Sequence, residues 1–89
     1  MATREQLNDE LIAFGESALL IDDFDEACIG FTQRINEPLL AVYSYNQMVA
    51  LLIERDGMDT TEAEEFVEFN CIGAWLGERT PLIVRELNL

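Results

Sequence analysis

The chain contains no histidine and no lysine, and it has only two cysteines, two prolines and few aromatic rings. Each shortage excludes something. Without histidine the commonest general base and metal ligand near neutral pH is missing. Cys28 and Cys71 lie in separate apolar segments, without CxxC spacing. They support neither a zinc site nor a redox motif. They read as free thiols buried as small hydrophobes in a reducing compartment, with a disulfide left open if the two positions meet. Basic charge is scarce too: five Arg face 18 Asp and Glu, a net charge of -13. Such a charge repels nucleic acid and anionic membrane, so direct binding to either is not expected, whereas a basic protein partner is attracted. The alternative reading is that the charge only keeps a small protein soluble. No apolar run is long enough to cross a bilayer, and MATREQLNDE lacks the features of a signal peptide. A cytoplasmic, soluble protein is expected.

What is present is a chain of 89 residues, 49% apolar. That is enough for a single domain, residues 1–89, with one modest core. Thr3 and Gln6 fit a capping box. Leu7, Leu11 and Phe14 come next at helical spacing, so a helix over 4–14 is predicted, ended at Gly15. Residues 16–26 read either as a short helical continuation or as a buried linker. Ala27–Ile35 alternates, with Ala27, Ile29, Phe31 and Ile35 on the apolar face. Gly30 inside this strand suggests a bulge or a close approach. Asn36–Pro38 supplies a turn, and Leu39–Tyr43 reads as a buried strand closing a hairpin.

Ser44 then reads as an N-cap, with Gln47 at the capping-box position. Met48, Val49, Leu51, Leu52 and Ile53 make the next helix apolar over most of its circumference, so it is buried on more than one side. Gly57 supplies a left-handed C-cap, with Met58 folding back. Thr61 and Glu64 form another capping box. The last helix carries Ala63, Phe66, Val67, Cys71, Ala74 and Trp75 on one face, extended by Phe69, Ile72 and Leu76, and ends at Gly77 before Pro81. Leu82–Leu87 is a third strand. The fold class is α+β, order α-β-β-α-α-β: a small three-stranded antiparallel sheet with about three helices packed on one face. The other sheet face and the edges stay open for dimerisation or strand addition.

No catalytic constellation, metal site or cofactor motif emerges. Asp22, Asp23, Asp25 and Glu26 invite a calcium reading, but an EF-hand loop begun at Asp23 places Cys28 and Arg34 where Gly and Glu are required. The candidate protein-binding site is acidic: Glu54, Asp56, Asp59, Glu62, Glu64, Glu65 and Glu68, with Arg55 among them. It reads either as a decoy for a basic groove or as a solvated helix face complementing the helix dipole. Asn70, between Phe69 and Cys71, reads as a buried amide with a specific backbone partner, or as a ligand contact. Tyr43 and Trp75 are expected in the core. Tyr45, at a helix start, is either core or an interface anchor.

Ala41-Val42-Tyr43 with Tyr45, Arg55-Asp56-Gly57-Met58, Glu62-Ala63, Phe69-Asn70, Gly73-Ala74-Trp75, Gly77-Glu78 and Thr80-Pro81 together resemble a family of short, mostly uncharacterised acidic proteins of bacteria and their phages. The resemblance covers roughly residues 25–84 and defines no activity. It implies a phage-linked protein, and small acidic proteins of that kind often inhibit host enzymes, including CRISPR effectors and nucleases. The expected function is therefore a non-enzymatic acidic protein-binding module, an inhibitor of a basic nucleic-acid-handling host protein of nucleic-acid-mimic or anti-CRISPR type. The alternatives are a structural or regulatory homo-oligomer, such as a homodimer, using an open sheet face or edge, and a small-ligand-binding protein.

Overall fold

A computed structural model describes residues 2–87. Helix α1 spans Arg4–Phe14, strand β1 Cys28–Thr32, strand β2 Leu40–Ser44, helix α2 Tyr45–Asp56, helix α3 Thr60–Val67 and strand β3 Leu82–Val84. The order α-β-β-α-α-β and the α+β class are those the sequence predicts. The first helix begins with the expected reciprocal cap. Thr3 Oγ1 accepts the Gln6 amide at 3.2 Å, and Gln6 Oε1 accepts the Thr3 amide at 3.0 Å. Gly15 closes the helix in the left-handed conformation. The linker beyond it is not helical. It runs irregularly to a 3-10 turn at Asp25–Ala27, and α1 is tied to it where Arg4 reaches Asp25 at 2.8 Å and Asp22 at 3.2 Å.

The sheet order is β1-β2-β3. β1 and β2 pair antiparallel, as predicted, with the register shifted between Cys28 and Gly30. This bulge changes which side chains face inward. Cys28 pairs with Tyr43 and Phe31 with Ala41, so Cys28 and Phe31 share the inner face. The predicted apolar set of Ala27, Ile29, Phe31 and Ile35 is thus broken: Ile29 is the extra residue and is exposed, and Ile35 lies in the turn beyond the strand. A residue inserted on one strand reverses the alternation beyond it.

β3 departs from expectation in direction. It pairs with β2 in parallel, Tyr43 opposite Ile83, so the sheet is mixed and not fully antiparallel. After α3 the chain is carried back to the end where β2 starts: Leu76, Glu78 and Arg79 share a cleft with Glu37 and Pro38, just before that strand. A strand entered from that end runs alongside β2 in the same direction.

One core joins all three helices to one face of the sheet. Leu7 of α1, Tyr45, Met48, Leu51 and Leu52 of α2, and Ala63 and Val67 of α3 pack with Cys28, Ala41 and Tyr43. The Tyr43 ring is fully buried, and its hydroxyl accepts the Ile21 amide at 2.7 Å. The opposite sheet face is open at its β3 edge, where Leu82 and Val84 are 45% and 36% exposed, while Val42 of the middle strand is half-buried and Ser44 fully buried.

The last helix is shorter than predicted. α3 ends at Val67 and continues as a π turn over Glu68–Ile72, closed where the Gly73 amide reaches the Glu68 carbonyl at 3.0 Å. A Cβ at Gly73 would stand 3.2 Å from the Phe69 carbonyl oxygen, which is why glycine suits this turn. The wider turn breaks the 3.6-residue repeat and rotates the side chains beyond it. Trp75, expected in the core, is 76% exposed, and Phe69 is 78% exposed.

Candidate protein-binding surface

The junction of α2 and α3 begins with Gly57, whose left-handed conformation closes α2. Met58 then donates its amide to the Leu52 carbonyl at 3.3 Å. The N-cap of α3 is Asp59, not the predicted Thr61. Asp59 Oδ1 accepts the Glu62 amide at 2.8 Å, starting the helix at Thr60. Two cap candidates adjoin here, and the earlier one satisfies the free amides first. That amide holds the Asp59 carboxyl below the usual carboxylate range.

The predicted carboxylates do not form one uniform surface. Asp56 pairs with Arg55 at 3.2 Å, and Arg55 also donates to the Asp23 carbonyl at 2.6 Å and lies 5.7 Å from the Phe24 ring centroid. Glu64 accepts the Tyr45 hydroxyl at 3.4 Å. Glu68 pairs with Arg85 at 3.4 Å, while the Arg85 guanidinium stacks 3.9 Å from the centroid of Tyr45. Tyr45, open in the sequence reading, is therefore a buried ring beneath an arginine. Glu54 stands apart on α2, lining a cleft with Glu26, Gln47, Ala50 and Leu51.

Glu62 and Glu65 are brought together. They line an open groove with Met58, Phe66, Phe69 and Asn70. Neither carboxylate has an ion-pair partner among the described residues, and the Glu62 side chain stands against the Asp59 carboxyl at the helix start. Helical spacing explains the grouping: Glu62, Glu65, Phe66 and Phe69 recur at three- and four-residue intervals on one side of the helix. The predicted burial of Asn70 does not hold. It is exposed, and its amide donates to the Phe66 carbonyl at 3.1 Å on its own helix. The π turn moves it off the apolar face, so it needs no distant partner.

The exposure of Phe69 and Trp75 is the feature that sequence reasoning missed. For Trp75 the signal was Gly73, a poor helix former placed inside the predicted helix; for Phe69 it was the seven-residue spacing from Glu62, which puts the ring on the exposed carboxylate side. Among the described residues no group of three His, Cys, Asp or Glu is placed to hold a metal. Asp22 and Asp25 of the acidic linker are occupied by Arg4. Cys28 is buried and Cys71 half-buried, both are free, and burial pushes both thiols up. Among the described residues no helix is long and apolar enough to cross a membrane. Comparison with family models, curated proteins and solved structures returns no match.

Proposed function

We propose that the chain is a non-enzymatic protein-binding module that docks a basic partner on the outer surface of α3. The observation that carries this reading is the α3 groove itself. Exposed Phe69 and partly exposed Phe66 stand beside Glu62 and Glu65, with no basic residue in the lining. Protein interfaces place aromatic anchors at the centre and charged groups at the rim, and hot spots form around such anchors. The remaining carboxylates of the set, Glu54, Asp56, Asp59, Glu64 and Glu68, add to the field that draws a basic surface. The overall charge of -13 favours the same partner and disfavours nucleic acid and anionic membrane.

The resemblance to short acidic proteins of bacteria and phages supports a narrower form: an inhibitor of a basic, nucleic-acid-handling host protein, of nucleic-acid-mimic or anti-CRISPR type, acting in the cytoplasm. The test is affinity capture from bacterial lysate at low and high salt, with wild-type protein and a Glu62→Gln/Glu65→Gln variant side by side. A basic protein held by the wild type, released by salt and lost by the variant is the expected result. Identical capture by both proteins, or capture indifferent to salt, sinks the reading.

A second reading rests on the β3 edge of the sheet, where Leu82 and Val84 stand open. That edge would support a homodimer, which native mass spectrometry detects and which would survive high salt. A small-ligand site has less support. An enclosed cleft between Ile21, Asn70, Cys71, Ala74, Leu76, Thr80 and Pro81 has a volume of about 60 Å³, well short of the roughly 300–1,000 Å³ of ligand pockets, and the clefts of about 540, 480 and 320 Å³ lie open on the surface.

A further inference from the structure

We infer that the α3 groove is built to take an arginine side chain, carried on a partly apolar segment of the partner, with its guanidinium against the Phe69 ring and paired with Glu62 and Glu65. This inference rests on the protein-binding reading and assigns its anchor.

The chain supplies its own precedent. On one flank of α3, Arg85 lies over the Tyr45 ring at 3.9 Å and pairs with Glu68 at 3.4 Å. At the end of α2, Arg55 lies over the Phe24 ring at 5.7 Å and pairs with Asp56 at 3.2 Å. Each is an aromatic ring beside a carboxylate, completed by a guanidinium. The groove of Met58, Glu62, Glu65, Phe66, Phe69 and Asn70 repeats the ring and the carboxylates without the cation. Phe66 is turned in part toward Phe24, with ring centroids 6.5 Å apart, so Phe69 is the ring left free to stack. Met58 and Phe66 offer apolar surface for the aliphatic stem of the incoming residue and for its apolar neighbour.

The chemistry selects arginine over lysine. A guanidinium is planar, weakly hydrated and forked, so it can stack on a ring and pair with a carboxylate at once. An ammonium is a compact, strongly hydrated point charge. The occupant is also more readily a different protein than a second copy, because two chains of net charge -13 repel. The chain does carry an unengaged arginine. Arg34 has no side-chain partner among the described residues, and the neighbouring Ile35 is 91% exposed at the hairpin tip. Entry of Arg34 into the groove of a second copy is an outcome the experiment must separate.

The probe is a fluorescein-labelled amphipathic peptide of arginine and leucine, with a matched lysine–leucine peptide, titrated by anisotropy at low salt. Glu62→Gln/Glu65→Gln and Phe69→Ala are each expected to weaken the arginine peptide by about tenfold or more, the scale of one lost hot-spot contact. Asp9→Asn/Glu10→Gln removes the same charge from exposed positions of α1 and is expected to weaken it by less than about twofold through the general field. The lysine peptide is expected to bind several-fold less tightly. Circular dichroism establishes that each variant is folded. Equal losses from the two charge-removing pairs would overturn the groove and leave the acidic binding module standing. Failure of the wild type to bind either peptide would overturn both. Concentration-dependent self-association abolished by Arg34→Ala would assign the groove to the hairpin tip of a second copy and overturn the partner's arginine.

Discussion

Two stretches of this chain are at least half apolar and opposite in fate. Between Leu40 and Asp56, residues Ala41, Tyr43, Tyr45, Met48, Leu51 and Leu52 are buried. Between Glu68 and Arg79, the π turn has no buried residue, and Phe69, Ile72, Trp75 and Leu76 are exposed. Hydrophobicity therefore does not decide the difference; neighbours do. β2 is the middle strand, paired on both sides, and it runs into α2 without an intervening loop. Strand and helix deliver their side chains to one core. In the later stretch the helix changes pitch at Glu68. One additional residue per turn offsets the next side chains by about 100° from their predicted direction. Apolar residues at regular spacing are buried only while the spacing matches the helix that carries them.

The comparison is broken most forcefully from its buried half. Leu52, 1% exposed within α2, belongs to the central core. Leu52→Ala should cost about 2–5 kcal/mol, through lost burial and the cavity left behind. That is a large part of the roughly 5–15 kcal/mol that holds a native domain together, and a chain of this size sits toward the lower end. Thermal unfolding followed by circular dichroism is expected to show a fall of tens of degrees or no folded baseline at all. A fall of only a few degrees would mean that the centre is not the part that holds the fold.

Much of this architecture was legible in the sequence where its determinant is local. Thr3 with Gln6, Gly15, Ser44 and Gly57 mark helix ends by their own side chains or by their freedom to adopt positive φ. Ser44 accepts the Gln47 amide at 3.2 Å as the spacing required. The bulge at Gly30 was legible too, but its consequence, the switch of face from Ile29 to Cys28, depends on pairing with β2. The direction of β3 was not legible, because it depends on where the segment after the π turn delivers the chain. The candidate site divides in the same way. Glu62 and Glu65 could be placed by helical spacing. The occupation of Glu64 and Glu68 by Tyr45 and Arg85 could not, since Arg85 comes after a strand whose position depends on the whole fold. The burial inferred for Asn70 and Trp75 failed for one shared reason, the pitch change between Val67 and Gly73.

A smaller effect probes how the linker is held to the buried half. Tyr43 accepts the Ile21 amide, and burial, the main cause, pushes its phenol up from 10.0 to about 12. The folded-state value lies above the unfolded one. The protonated phenol therefore contributes stability that is fully present below pH 10 and is lost as pH rises through about 12. Tyr43→Phe leaves the Ile21 amide without its acceptor and should cost about 1 kcal/mol at pH 7. It also removes the titration, so the variant's disadvantage should narrow between pH 10 and about 12. Urea unfolding across that range, with a neutral reference, measures the gap. A gap that stays constant would mean that the phenol ionises as freely in the native state as in the unfolded one.

The smallest effects are expected from the exposed half, and their smallness is the sharpest statement about it. Phe69→Ser and Trp75→Ser remove large apolar side chains, yet each should change stability by no more than about 0.5 kcal/mol, because the lost surface was already in water. Trp75 is the sole tryptophan, so its fluorescence reports on this loop alone. Its emission maximum in the native protein should lie close to that in denaturant, and an aqueous quencher should reach it almost equally in both states. A blue-shifted, protected native tryptophan would show that the loop packs against the body of the protein, and Trp75→Ser would then destabilise by well over about 1 kcal/mol, as truncating a buried aromatic does. If both serine variants keep wild-type stability while Phe69→Ser alone abolishes capture of a partner, the two stretches are separated by role as well as by burial. The β2–α2 unit then holds the fold, and the π turn presents an anchor that the fold does not use.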